Sequence, residues 1–208
     1  MNIFLELIYL IPILLLSLSI HEFSHGYVSH KLGDPTPGRE GRLTLNPLAH
    51  LDPVGTLVLI FTRRIGWAKP VPVNPRFYNN PRKGLMYVGL AGPGANIVLA
   101  LFFALIFRTG VINLIIPYFG INLFRTISEF VSLAIIINLS LAVFNSLPVP
   151  PLDGSKILRG VLPSKYDEIF YKLEGPTGMM IIMLLAFTGI LGRIIFPVVR
   201  LLYSIMLF

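Results

Sequence analysis

Residues 3–31 read IFLELIYLIPILLLSLSIHEFSHGYVSHK, and this stretch decides the fold. From Leu7 to Ile20 it carries no charge and is almost wholly apolar, and after Pro12 no proline occurs until Pro35. A single helix over these residues would be about 43 Å long at 1.5 Å per residue, enough to cross a bilayer. A cleaved signal peptide describes it poorly: there is no basic start, Glu6 is acidic, and no small-residue cleavage site follows. His21, Glu22 and His25 therefore sit at the end of an apolar helix, where ionisable groups are costly and usually functional.

The spacing gives these residues a chemistry. Two histidines four apart on a helix differ by about 40° in direction and by one turn in height. Their imidazoles can converge on one zinc ion, with Glu22 beside them to move a proton. A catalytic zinc needs a third protein ligand and one open position. The chain has no cysteine, so that ligand must be His, Asp or Glu. His30 lies about 180° around the helix from His21 and faces away. The long metzincin pattern fails, because Val28 stands where it needs glycine and Lys31 where it needs a third histidine. Asp34 belongs to a helix-stopping turn. Glu40, His50 and Asp52 fall in a polar region, from which a re-entrant loop would have to return His50 or Asp52. Asp153 is best placed, directly after the proline-rich break Pro148-Val149-Pro150-Pro151, where extended backbone lining a wet cavity is tolerated. The competing reading is that Asp153 caps the helix that follows.

Composition agrees with a membrane protein. Only 13% of the 208 residues are charged, and mean hydropathy is +0.76. The expected fold is a polytopic α-helical membrane protein with four, or up to five, spans over about 3–31, 84–108, 122–147 and 177–207, the last being one span or a hairpin. The whole of 1–208 reads as one membrane-embedded domain. The region 32–83 is polar and broken by Gly and Pro. Strand-like patterns at 41–46 and 69–74 predict a small β-containing or re-entrant region, and an unwound substrate peptide could pair with those strands as with any free edge. Val54–Thr62 is apolar but too short to span. The net charge of +7 lies between apolar stretches, not on one soluble face, which argues against nucleic acid. Residues 31–83 carry nine Lys and Arg and residues 155–175 carry four, against Arg108 and Arg125 in the connection between them. The positive-inside rule then predicts a multi-pass protein of the cell membrane, with both basic regions cytoplasmic and the N-terminus extracytoplasmic. A transporter would place polar residues along several spans, a pattern missing here.

Three runs together carry a family resemblance: His21-Glu22-Phe23-Ser24-His25, Gly92-Pro93-Gly94-Ala95-Asn96, and Asn145 through Pro148, Pro150, Pro151, Leu152, Asp153 and Gly154. The run Asn46-Pro47-Leu48-Ala49-His50-Leu51-Asp52-Pro53 adds to it. In these the chain resembles the site-2 protease family of intramembrane zinc metalloproteases, in a minimal form without PDZ or CBS domain. The resemblance covers roughly residues 10–165. It implies Zn2+ held by His21, His25 and Asp153, Glu22 as general base and acid, and Asn145 and Asn96 near the site as substrate-binding or oxyanion-binding amides. It also implies regulated intramembrane proteolysis, with a single-span membrane protein as substrate in the lipid bilayer. A homo-oligomer is left open.

Overall fold

The computed structural model describes residues 3–62 and 66–208. The first stretch forms one helix, α1 (Ile3–Lys31), ending with His30 and Lys31 in its last turn, where cations suit the partial negative charge of the carbonyl end. Gly33, at φ 102°, ends it. Asp34 then gathers the chain: it is fully buried and accepts from the Ser29 hydroxyl (2.7 Å), the Thr36 amide (2.9 Å) and the Asn74 amide (2.7 Å). Burial pushes its carboxyl up, but these hydrogen bonds outweigh that and hold it below the usual carboxylate range.

The region 32–83 contains no strand among the described residues, which corrects the expected β-containing element. It holds two helices, α2 (Thr36–Arg39) and α3 (Pro53–Thr62), and two single 3-10 turns capped by Asn46 and Asn74. The one ladder contact among the described residues is an isolated bridge between Leu51 and Ala68. The reason is visible in where the backbone hydrogen bonds go. Pro70 and Pro72 have no N–H to give a neighbouring strand. The Val71 amide donates to the Glu22 carboxylate (2.9 Å) and the Asn74 amide to Asp34. Segment 69–74 is thus an extended strap laid along the end of α1, held by side chains.

Three more long helices follow. Asn80 caps α4 (Pro81–Arg108) by accepting from the Lys83 amide, with Pro81 in the first turn. The helix therefore begins three residues before the expected span. Next is α5 (Ile116–Asn145), kinked at Gly120. After the proline break come α6 (Asp153–Val161), α7 (Asp167–Leu173), α8 (Pro176–Phe187) and α9 (Ile190–Leu207). The last apolar segment is accordingly two helices parted at Thr188-Gly189. The helices α1, α4, α5 and α9 are long and apolar enough to cross a membrane, and the bent pair of residues 164–173 and 176–187 would add a fifth if it forms one broken span. This is a polytopic helical membrane protein.

Ala100 and Ala104 of α4 pack with Val131, Ile135 and Leu139 of α5 and Val199 of α9. Small side chains on α4 let the backbones approach, as helix packing in lipid requires. Val98, Phe102 and Leu105 on the other face of α4 remain exposed, as a lipid-facing surface should. This α4–α5 pair is the frame against which α1 and α6 bring their polar residues together.

Candidate metal centre

Each donor comes from an element that fixes it. His21 and His25 stand one turn apart on α1, and both are buried. His21 donates from Nδ1 to Asn96 Oδ1 of α4 (2.6 Å). His25 donates from Nδ1 to the Val88 carbonyl of α4 (2.6 Å). With Nδ1 committed in both rings, both Nε2 atoms present lone pairs to one point. Asp153 meets them there: its Oδ2 lies 3.2 Å from His21 Nε2 and 3.0 Å from His25 Nε2, and the two Nε2 atoms are 3.0 Å apart. Asp153 lies in the first turn of α6 with its carboxylate aimed inward, and Leu152 occupies the capping position. The capping reading of Asp153 thus gives way to a place in this cluster.

Three lone-pair donors crowded at 3.0–3.2 Å repel one another unless a cation lies among them. A tetrahedral zinc with ligands at 2.0–2.1 Å sets its donors about 3.3 Å apart, so the donor set fits that ion. The backbone of α4 closes the cradle at Gly92. A methyl group there would sit 2.5 Å from His25 Nε2 and 2.6 Å from His21 Nε2, on the face a metal needs. Asp153 Oδ1 pairs with Lys156 Nζ (2.9 Å), which leaves one carboxylate oxygen for the centre. Beside the cluster, half-buried Glu22 accepts the Val71 amide on Oε2.

Comparison with known proteins points to metalloproteases. The sequence model of peptidase family M50 matches residues 108–188, which include Asp153. YwhC of Bacillus subtilis (strain 168), a protein provisionally named a zinc metalloprotease, is 38% identical over 198 residues, 92% of this chain and 86% of that protein. The chain belongs to peptidase family M50. Two further relatives of this M50 peptidase are more distant. Rip2 of Mycolicibacterium smegmatis, provisionally named likewise, is 28% identical over 190 residues, 89% of this chain and 69% of that protein. Zinc metalloprotease MJ0392 of Methanocaldococcus jannaschii is 24% identical over 181 residues, 86% of this chain but 42% of that protein. No solved structure matches the chain.

His30, His50, Asp52 and Glu40 stand outside the cluster in the M50 peptidase. His30 is exposed and donates to the Asp34 carbonyl. His50 is buried and bonds the Thr44 carbonyl (2.8 Å). Asp52 accepts the Gly55 amide at the start of α3, and Glu40 is exposed. Asn145, at the end of α5, donates one N–H to the Leu141 carbonyl of its own helix, with no partner for the other among the described residues. Asn96 is fully buried on the Nδ1 side of His21, with Oδ1 on that ring and Nδ2 bonded to Asn138 and the Ser17 carbonyl. It faces away from the converging Nε2 atoms. Sequence reasoning missed Asn138, Lys156, and the Val88 and Val71 main-chain groups. Asn138 had a signal, an amide side chain in the middle of the apolar run 131–144; a backbone carbonyl or amide has none.

Proposed function

We propose that this chain is an intramembrane zinc metalloprotease that hydrolyses a peptide bond within or near a transmembrane helix of another protein, through a site open to the cytoplasm. One observation carries the reading: His21, His25 and Asp153 converge on one buried point at the end of an apolar spanning helix, with Glu22 next in sequence to a ligand. If α1 meets the cytoplasm near His30, His21 lies roughly 14 Å below that surface, at 1.5 Å per residue. That depth favours substrates that are themselves in the bilayer. The N-terminus is then extracytoplasmic, in accord with the basic residues of 31–83 and 155–175.

His21, His25 and Asp153 hold the zinc, which supplies Lewis acidity for water and for the scissile carbonyl. Asn96 and the Val88 carbonyl keep both rings in the tautomer that binds. Glu22 takes the proton from the attacking water and returns it to the leaving amine. The Val71 amide anchors one of its oxygens and leaves the other for that proton. The spare N–H of Asn145 serves the developing oxyanion. A substrate helix must unwind first, because its carbonyls are otherwise engaged in its own hydrogen bonds.

The deciding experiment pairs zinc quantification on purified protein with cleavage of a panel of single-span proteins in detergent. Glu22→Gln keeps an acceptor for the Val71 amide but has no proton to shuttle. It should bind zinc as the wild type does and lose activity by about 10²–10⁴-fold or more. An active Glu22→Gln enzyme would remove Glu22 from the mechanism.

A further inference from the structure

The two histidines are oriented by acceptors of different kinds. His25 donates to the Val88 carbonyl, a backbone group that helix α4 fixes in direction. His21 donates to a side-chain amide, Asn96 Oδ1. Were that amide turned over, Nδ2 would face the ring, and His21 would have to carry its hydrogen on Nε2, where the metal belongs.

What keeps Asn96 from turning lies one residue further out. Asn138 of α5 donates from Nδ2 to the Ala134 carbonyl at 2.9 Å. Its Oδ1 then faces Asn96 Nδ2 at 2.9 Å. A carbonyl only accepts, so the order of donors and acceptors is forced inward from Ala134: Asn138 N–H, Asn138 oxygen, Asn96 N–H, Asn96 oxygen, His21 Nδ1–H, and finally the free lone pair on Nε2. The Ser17 carbonyl also accepts from Asn96 Nδ2, but at 3.3 Å it is near the limit of a hydrogen bond. Asn96 and Asn138 are 0% exposed, so no bulk water substitutes for a missing partner.

We propose that Asn138 is a positioning residue for the metal: it fixes the Asn96 amide, and through it the His21 tautomer that leaves Nε2 free for zinc. The proposal rests on the zinc-protease reading above. Asn138 touches neither metal nor substrate. A role as plain interhelical glue would make the same two hydrogen bonds but would not link them to metal affinity.

Purified full-length protein in detergent, with zinc affinity measured by chelator competition and histidine tautomers by 15N NMR on the metal-free form, separates the two. In the wild type without metal, His21 keeps a hydrogen on Nδ1; a bare Nδ1 with the hydrogen on Nε2 alone overturns the proposal whatever the variants do. Asn138→Ser can bond the Ala134 carbonyl, as Ser140 and Ser146 bond the carbonyls one turn back in the same helix, but falls short of Asn96. It should bind zinc about tenfold more weakly, the lower end of what outer partners of a ligand contribute, and shift His21 toward the other tautomer. Asn138→Asp presents an oxygen to Asn96 in either protonation state and should stay within about twofold of wild type by the same measure. A Ser variant with wild-type affinity and tautomer, or an Asp variant as weak as the Ser variant, overturns the role of Asn138. A wild-type protein that takes up no zinc overturns the zinc reading itself.

Discussion

Replacing Gly92 by alanine tests the metal cradle directly. The added methyl would lie 2.5 Å from His25 Nε2 and 2.6 Å from both Cε1 and Nε2 of His21, whereas ordinary contacts begin at 3.4 Å. The two rings would have to retreat by about 0.9 Å, several times the ~0.2 Å tolerance of a metal site. They have nowhere to go: behind them, Nδ1 of each already stands 2.6 Å from its acceptor. Zinc affinity should therefore fall more than about a hundredfold, beyond the effect of removing an outer partner. The fold should suffer far less, since overpacking one methyl costs about 1–3 kcal/mol. At about 2–4 °C per kcal/mol for a chain of this size, the melting temperature drops by about 2–12 °C. Metal content by mass spectrometry, chelator competition and a thermal melt of the metal-free protein read the two effects separately. A Gly92→Ala protein with wild-type zinc affinity would refute the placement of the metal between α1 and α4.

The Asp34 node predicts a pH dependence. Its carboxyl is held below its unfolded value, so its contribution is present above about pH 4 and is lost as pH falls through the lower folded value. Asp34→Ala should remove about 1–3 kcal/mol and flatten that acid limb in melts taken across pH; an unchanged limb would count against it. For Asn145→Ala, kcat should fall by about 10²-fold with zinc content and melting unchanged, as for loss of an oxyanion donor; loss of zinc instead would assign Asn145 to the metal site.

The site was legible where side chains with distinctive chemistry recur at helical spacing. His21 and His25 declare a shared face by being four apart, and an apolar run on their N-terminal side sets them in a membrane helix. Asp153 is different: position narrowed it, and the family resemblance selected it, because nothing in local sequence tells a ligand from a cap. Asn96 was found by motif, but its orientation was not, since facing Nδ1 or Nε2 of His21 depends on how α4 is rotated against α1. The expected strands at 41–46 and 69–74 had the alternation of β structure without partners. Whether Val71 and Asn74 donate to a strand or to Glu22 and Asp34 is decided by tertiary contact, which a local pattern cannot carry.

The three converging donors stand at positions 21, 25 and 153. The histidines come from α1 and Asp153 from α6, which packs against α4, so neither segment alone holds all three donors. The two halves of the site are thus joined by tertiary packing alone, and the donor set is complete only in the folded bundle.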